Sequence, residues 1–426
     1  MKSILHWSYI IILTLGLISC ESVTPVENTS ECSSIKEREY VYNYMQKNYL
    51  WYQEMPEVDY QSYSSPEALL EDLKVSKDHW SFIIDKKVFD DYFAGEGYIG
   101  FGFKLQFDSS NKLIITMVYP NSPASKAGLK RGVEILAING KDVDAIEDVN
   151  SAFGPKEVGV EATLDIVKDG QNQSISLKKE KVATPSVITT KVLNINGEKV
   201  GYLLFDSFIE PSTNELKGAF EDFANANIDR LIVDLRYNGG GLVSVANDLV
   251  SLIKGLYSSG EKSLTLEFND KNSNKNSSYY IKRYSNSFDL DSVYFLTTKS
   301  TCSSSEAVIN ALKPYGVDVK LIGSKTCGKP VGMVGGEFCN KYLVPIEFQI
   351  VNRDGEGDYF GGMSVDCSAS DDIYHDFGDT NEAMLKEAAY LIEHGSCSNS
   401  ANARVVTTKA KREIKYKGLS TITKAF

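Results

Sequence analysis

The period of the apolar positions changes along the chain. Over residues 35–51, Val41, Tyr44, Met45, Tyr49 and Leu50 recur at helical spacing. Ser65-Pro66-Glu67 supplies an N-cap with proline at the first helical position and opens a second helix through Leu69, Leu70 and Leu73. From Gly95 the helical period gives way to short alternating runs and turns, which predict β-structure to about residue 179. Residues 180–186 read as a linker. Strand patterns follow at 187–193, 199–205, 228–236, 293–297 and 317–322, and helical patterns at 215–226, 243–254 and 307–312 stand between them. The polar stretch 256–288, with an apolar alternation at 264–268, reads as a hairpin or flap. Further strands at 337–351 and a helix at 381–393 complete the pattern. Strands alternating with helices predict an α/β domain with a largely parallel sheet.

The first twenty residues have a different character. Lys2 precedes an apolar run at 10–18, closed by Ser19-Cys20. This is a secretory signal, too short for a comfortable membrane span. Leu17-Ile18-Ser19-Cys20 resembles a bacterial lipobox, which would make Cys20 the lipidated first residue of the mature chain; an ordinary signal with a chance cysteine is the alternative. No later stretch is apolar enough to span a bilayer, so lipid at Cys20 is the expected anchor, followed by a Ser/Thr/Glu/Pro-rich tether over 20–34. The expected location is the bacterial cell envelope, as a periplasmic or outer-membrane lipoprotein.

Composition narrows the function classes. The length of 426 residues suggests two or three domains, and an apolar fraction of 42% is ample for their cores. A net charge of −12 argues against nucleic acid as a partner. Beyond Cys20, six cysteines permit up to three bridges of undetermined pairing, Cys32, Cys302, Cys327, Cys339, Cys367 and Cys397. Cys-x-x-Cys is absent and histidine is scarce, so no metal site and no cofactor are expected.

Residues 119–140 contain Ser-Pro-Ala-x-x-Ala-Gly-Leu-x-x-Gly and then Ile-x-x-Ile-Asn-Gly. This stretch resembles a PDZ domain. Upstream, Gly100-Phe101-Gly102-Phe103 resembles the carboxylate-binding loop of such domains, where successive N–H groups converge on an anion and a strand edge adds an extended peptide. A ligand-free β-bulge is the alternative.

Two further motifs carry candidate chemistry. Asp234-Leu235-Arg236-Tyr237-Asn238-Gly239-Gly240-Gly241 follows a buried strand and precedes a helix; no Gly-Lys-Ser/Thr follows, so it is not a nucleotide loop. Thr301-Cys302-Ser303-Ser304-Ser305-Glu306 joins a strand to a helix. Ser303-x-x-Glu306 has capping-box spacing. The same position suits a nucleophile, because the helix start offers free N–H groups to an oxyanion.

The three motifs in this order resemble the carboxy-terminal processing (tail-specific) serine peptidases, family S41, over residues 95–393. The helical N-terminal segment is similar to that of lipoprotein members from Bacteroidetes-type bacteria. The resemblance implies a ClpP/crotonase-like mixed sheet with helices, joined to a β-rich PDZ domain and a small helical N-terminal segment. The implied division is a signal over 1–19, tether 20–34, helical segment 35–92, PDZ domain 93–180, peptidase domain 185–398 and basic tail 399–426. It also implies Ser303 as nucleophile and Lys329 as general base, with an oxyanion hole from the Ser304 and Gly240 N–H groups. Burial among uncharged neighbours fits a neutral lysine. Lys325 is the rival base. Met333 stands where some relatives carry an orienting Gln.

The implied function is a serine endopeptidase that takes proteins or peptides with apolar carboxy-termini. The alternative is a catalytically inactive lipoprotein that binds such termini through its PDZ domain. The basic tail, with Arg404, Lys409, Lys411, Arg412, Lys415, Lys417 and Lys424 against Glu413, reads as a solvated tail or edge strand. A basic patch for lipid headgroups or polysaccharide is its second reading. A third is that its Ala425-Phe426 end is an apolar terminus of the kind a PDZ groove accepts.

Overall fold

The computed structural model describes residues 32–398, 412–414 and Phe426. The signal, most of the tether and Cys20 lie outside these residues. No helix among the described residues is long and apolar enough to cross a membrane.

The N-terminal segment begins with helix Ser34–Asn48. Helix Pro66–Leu73 follows, and the Ser65 side chain caps it by accepting from the Ala68 N–H at 3.1 Å. These helices do not form a core of their own. Val41, Met45, Tyr49, Leu69 and Leu73 share one apolar cluster with Val331, Leu343 and Ile346, more than 250 residues further on. Strand Phe82–Asp85 pairs antiparallel with Lys341–Val344, and the Cys32–Cys339 bridge ties the segment to the same sheet.

The β-rich unit is built on strands Phe103–Phe107, Leu113–Val118, Glu134–Ile138, Glu161–Lys168 and Gln171–Lys178, in that order across the sheet. The expected linker after it is partly strand. Glu180–Val182 pairs antiparallel with Tyr98–Gly100, because Val182 buries its side chain with Met117 and Tyr119.

The α/β unit carries a six-stranded sheet in the order Val187–Ile195, Glu198–Phe205, Arg230–Asp234, Ser292–Thr297, Asp318–Gly323, Cys367–Ser368. Its first pair is antiparallel and the rest are parallel. Helices Ser212–Ala226, Val243–Ser258 and Ser304–Leu312 cover one face, and Ala383–His394 covers the other. The predicted flap is a hairpin, Lys262–Phe268 with Ser277–Tyr280, and it joins a second sheet through Ile346–Asn352.

This topology decides where chemistry collects. Strands Arg230–Asp234, Ser292–Thr297 and Asp318–Gly323 are parallel neighbours, so their carboxyl ends lie side by side. The Gly-rich loop leaves the first, Ser303 follows the second and Lys329 follows the third. Loops at adjacent carboxyl ends of a parallel sheet are where α/β proteins place their sites.

Candidate active site

Ser303 starts helix Ser304–Leu312 with φ 55° and ψ −116°. A left-handed φ at a non-glycine residue between strand and helix is a strained turn that lifts the side chain out of the helix ladder. The neighbouring hydroxyls are already committed. Ser304 Oγ donates to the Gly241 carbonyl at 2.6 Å, and Ser305 Oγ donates to the Asn238 carbonyl at 3.1 Å. Both residues are fully buried, whereas Ser303 keeps 9% of its surface accessible. The choice among three adjacent serines, left to family pattern by the sequence, thus acquires a physical basis.

The capping-box glutamate does more than cap. Glu306 Oε2 accepts from the Ser303 N–H at 3.0 Å and from the Lys329 N–H at 2.8 Å. Its Oε1 accepts from the Gly328 N–H at 2.8 Å and from Thr326 Oγ1 at 2.5 Å. One buried carboxylate therefore fixes the backbones of Ser303 and Lys329 on a single oxygen. Burial pushes the Glu306 carboxyl up from its ordinary value, while these donors work against the shift.

The Cys302–Cys327 bridge closes the same junction from the other side, with the Cα atoms 5.2 Å apart. It links the residue before Ser303 to the second residue before Lys329. It spans 25 residues, so loop closure predicts that replacing both cysteines by serine lowers stability by about 3 kcal/mol. Thermal unfolding of this variant, beside the wild-type protein with and without reductant, checks this; an unchanged midpoint would make the bridge structurally idle.

Lys329 is partly exposed, and protein crowds its ammonium. Desolvation lowers its pKa to about 8, against the opposing pull of Asp78 and Glu306. Its Nζ donates to Met333 Sδ at 3.6 Å and lies 5.9 Å from the Trp80 ring centre. No hydrogen bond between Nζ and the Ser303 hydroxyl is formed among the described residues. Lys325, the rival base, is exposed.

Asp78 and Trp80 come from the N-terminal segment, where no sequence motif marks a site. Asp78 accepts from Tyr49 Oη at 2.8 Å, Ser81 Oγ at 2.5 Å and the N–H groups of Trp80 and Ser81 at 2.9 Å. The loop around it is thus held rigidly beside the lysine. No local pattern marks Asp78-His79-Trp80-Ser81 as anything but a connection.

The Gly-rich loop packs against Ser303. A Cβ on Gly240, whose φ is +101°, would lie 2.8 Å from Ser303 Cβ and 3.0 Å from the Ser304 nitrogen, so only glycine fits. Gly240, expected to supply an oxyanion donor, is engaged within its own loop in this state. Its N–H donates to Asn238 Oδ1 at 2.9 Å and is not a free donor. Beneath the loop, Arg236 is fully buried among Asp234, Asp371 and Glu382, which makes it a brace.

At the PDZ-like loop the structure brings together all four predicted residues. The N–H groups of Phe101, Gly102 and Phe103 converge on the Phe426 carbonyl oxygen at 3.0, 2.8 and 3.4 Å. A Cβ on Gly100 would lie 2.8 Å from the Phe426 carbonyl carbon. Phe426 is buried, and with Arg412 it departs from the solvated-tail reading of this region.

Comparison with known proteins fits this arrangement. Residues 199–349 match the model of peptidase family S41, residues 36–82 the peptidase S41 N-terminal domain, and residues 97–178 a PDZ domain. The chain carries a peptidase family S41 domain. Among curated proteins, the S41 chain is 27% identical over 387 residues to a "Probable CtpA-like serine protease" of Staphylococcus epidermidis, covering 86% of this chain and 74% of that one. A protein of the same name from Staphylococcus aureus strain COL is 25% identical over 378 residues, covering 85% and 72%. A crystal structure assigned to the S41 proteases, from Bacteroides fragilis NCTC 9343, superposes with TM-score 0.68 at 26% identity, covering 83% of this chain and 96% of that one. A photosystem II D1 C-terminal processing protease shares the fold at TM-score 0.51 and 17% identity, covering 79% and 93%. The S41 chain is thus a peptidase with a PDZ domain, and its relatives mark the class as serine peptidase.

Proposed function

We propose that this S41 peptidase is an endopeptidase in which Ser303 is the nucleophile and Lys329 the general base. The observation that carries the reading is the Glu306 carboxylate, which holds the N–H groups of Ser303 and Lys329 on one oxygen. In the reaction, neutral Lys329 takes the Ser303 proton as Oγ attacks the scissile carbonyl. The lysine then gives that proton to the leaving amine, and water hydrolyses the acyl-enzyme. The Ser304 N–H supplies one oxyanion donor. The Gly239–Gly241 turn supplies the second, and Gly240 takes that role only by releasing Asn238.

The PDZ groove would capture the carboxy-terminus of a substrate protein. The three converging N–H groups fit a carboxylate, and the apolar walls of Phe101, Phe103 and Phe153 fit an apolar last side chain. Three disulfides among the described residues support an oxidising compartment. With the lipobox-like Cys20, this favours a lipid-anchored enzyme of the bacterial envelope.

The test is cleavage of peptides ending in free Phe, free Asp or an amidated Phe. Wild-type enzyme should cleave the first with the highest kcat/KM, and Ser303→Ala should lose about 10³-fold or more. Equal turnover of all three peptides would remove the groove from recognition, and an active Ser303→Ala variant would remove the nucleophile. The second reading, an inactive binding protein, is favoured by Lys329 Nζ resting on Met333 Sδ. Peptide binding without turnover across pH 6–10 would support it.

A further inference from the structure

We propose that the PDZ groove carries a resident ligand, the Phe426 end of the same chain, which a substrate must displace. The proposal rests on the peptide-binding reading of the groove, and it concerns regulation rather than chemistry.

Phe426 is seated as an added strand residue. Its carbonyl oxygen receives the Phe101, Gly102 and Phe103 N–H groups, and its own N–H donates to the Phe103 carbonyl at 2.8 Å. Tyr98 Oη adds a donor to that oxygen at 3.0 Å. The ring lies 5.2 Å from Phe153 and 6.4 Å from Phe103, centre to centre, and 8% of the residue is accessible. Every feature expected to recognise a substrate terminus is therefore in use.

A second contact anchors the same tail to the PDZ domain. The Arg412 guanidinium donates to the Val143 carbonyl at 2.9 Å and to that of Ile146, and stacks over Phe107 at 4.4 Å. Ile414 packs on the same PDZ core. Two points of attachment on one domain favour occupation within one chain over exchange between copies.

The groove is mechanically continuous with the catalytic loop. Next to Phe103, Lys104 forms a buried ion pair with Asp206 at 2.5 Å, and Tyr119 Oη donates to the same carboxylate at 2.7 Å. Two residues on, the Phe208 N–H donates to the Gly240 carbonyl at 3.1 Å, and the Leu242 N–H donates to the Phe208 carbonyl at 2.7 Å. A change of occupant at Phe101–Phe103 thus has a short covalent and ion-paired path to the loop beside Ser303.

A tethered ligand faces an effective concentration of about millimolar, so a tail whose intrinsic Kd is about 0.1 mM or tighter weakens an external peptide about tenfold or more. The test uses the full chain with Ser303→Ala, so that peptide is bound and not cleaved. A fluorescent peptide of the last eight residues, Leu-Ser-Thr-Ile-Thr-Lys-Ala-Phe with a free carboxylate, is titrated by anisotropy. Against the Ser303→Ala parent, adding Phe426→Asp, or separately a Gly-Ser-Gly extension after Phe426, should tighten peptide binding about tenfold or more. Equal affinity for all three proteins would overturn the proposal. A parent affinity that falls as protein concentration and dimer content rise would also overturn it, in favour of exchange between copies. Because binding is read without turnover, these outcomes are independent of whether Ser303 and Lys329 are catalytic. If no protein binds the peptide while the chain still cleaves substrates, the groove reading itself fails and the proposal falls with it.

Discussion

Lys329→Ala is expected to lower kcat/KM by about 10³-fold or more, with the fold unchanged. In the proposed mechanism the lysine acts only when neutral, and burial brings its pKa down to about 8. In the wild type, kcat/KM should therefore rise about tenfold per pH unit below 8 and level off above it, the sign expected for a base that must first lose its proton. Lys329→Arg is the sharper control. It keeps length and charge, but a guanidinium stays protonated throughout this range, so it should be as inactive as alanine. Stopped assays from pH 6 to 10 check all three statements. A flat profile, or an active Arg variant, would assign the lysine to substrate positioning.

The largest stability effect is expected at Arg236. Its guanidinium donates to Asp234 at 2.9 and 3.0 Å, to Asp371 at 3.0 Å and to Glu382 at 2.8 and 3.0 Å. Arg236→Met would leave buried carboxylates without their cation and cost about 3–5 kcal/mol. Chemical denaturation of the variant measures this. A cost under about 1 kcal/mol would mean that the site relaxes and admits water. The network also has a pH signature. Burial alone would raise the Asp371 carboxyl, but Arg131 and Arg236 overcome it and hold the group below its ordinary value of 3.8. A depressed carboxyl stabilises the fold above its ordinary pKa. That contribution is lost as pH falls through the lower folded value, so acid unfolding of the wild type should be steeper than that of Arg236→Met.

What the sequence made legible was local. The strand-to-helix turn at Ser303, the Ser65-Pro66 helix start and the glycines of the PDZ-like loop each rest on a few adjacent residues whose backbone needs are specific. What it left hidden was long-range. The pairing of Arg236 with Glu382 spans 146 residues, and Val41 reaches its core partner Ile346 only through the folded sheet. Asp78 and Trp80 sit beside Lys329 because Phe82–Asp85 adds to the strand Lys341–Val344, a pairing with no local period to announce it. Glu306 was visible as a cap but not as the clamp on Lys329, since that role depends on where the chain returns 23 residues later. The engagement of the Gly240 N–H was hidden for a similar reason. Glycine spacing shows that a loop approaches closely, but not that Asn238 has taken its N–H.

The central claim is that Ser303, alone among three adjacent serines, is activated for attack. A biotinylated fluorophosphonate reacted at pH 8.5, followed by proteolysis and mass mapping, tests it directly. One phosphonylated residue is expected, Ser303, with labelling abolished in Ser303→Ala and strongly slowed in Lys329→Ala. An adduct on Ser304 or Ser305, or labelling that persists at full rate in Ser303→Ala, would contradict it.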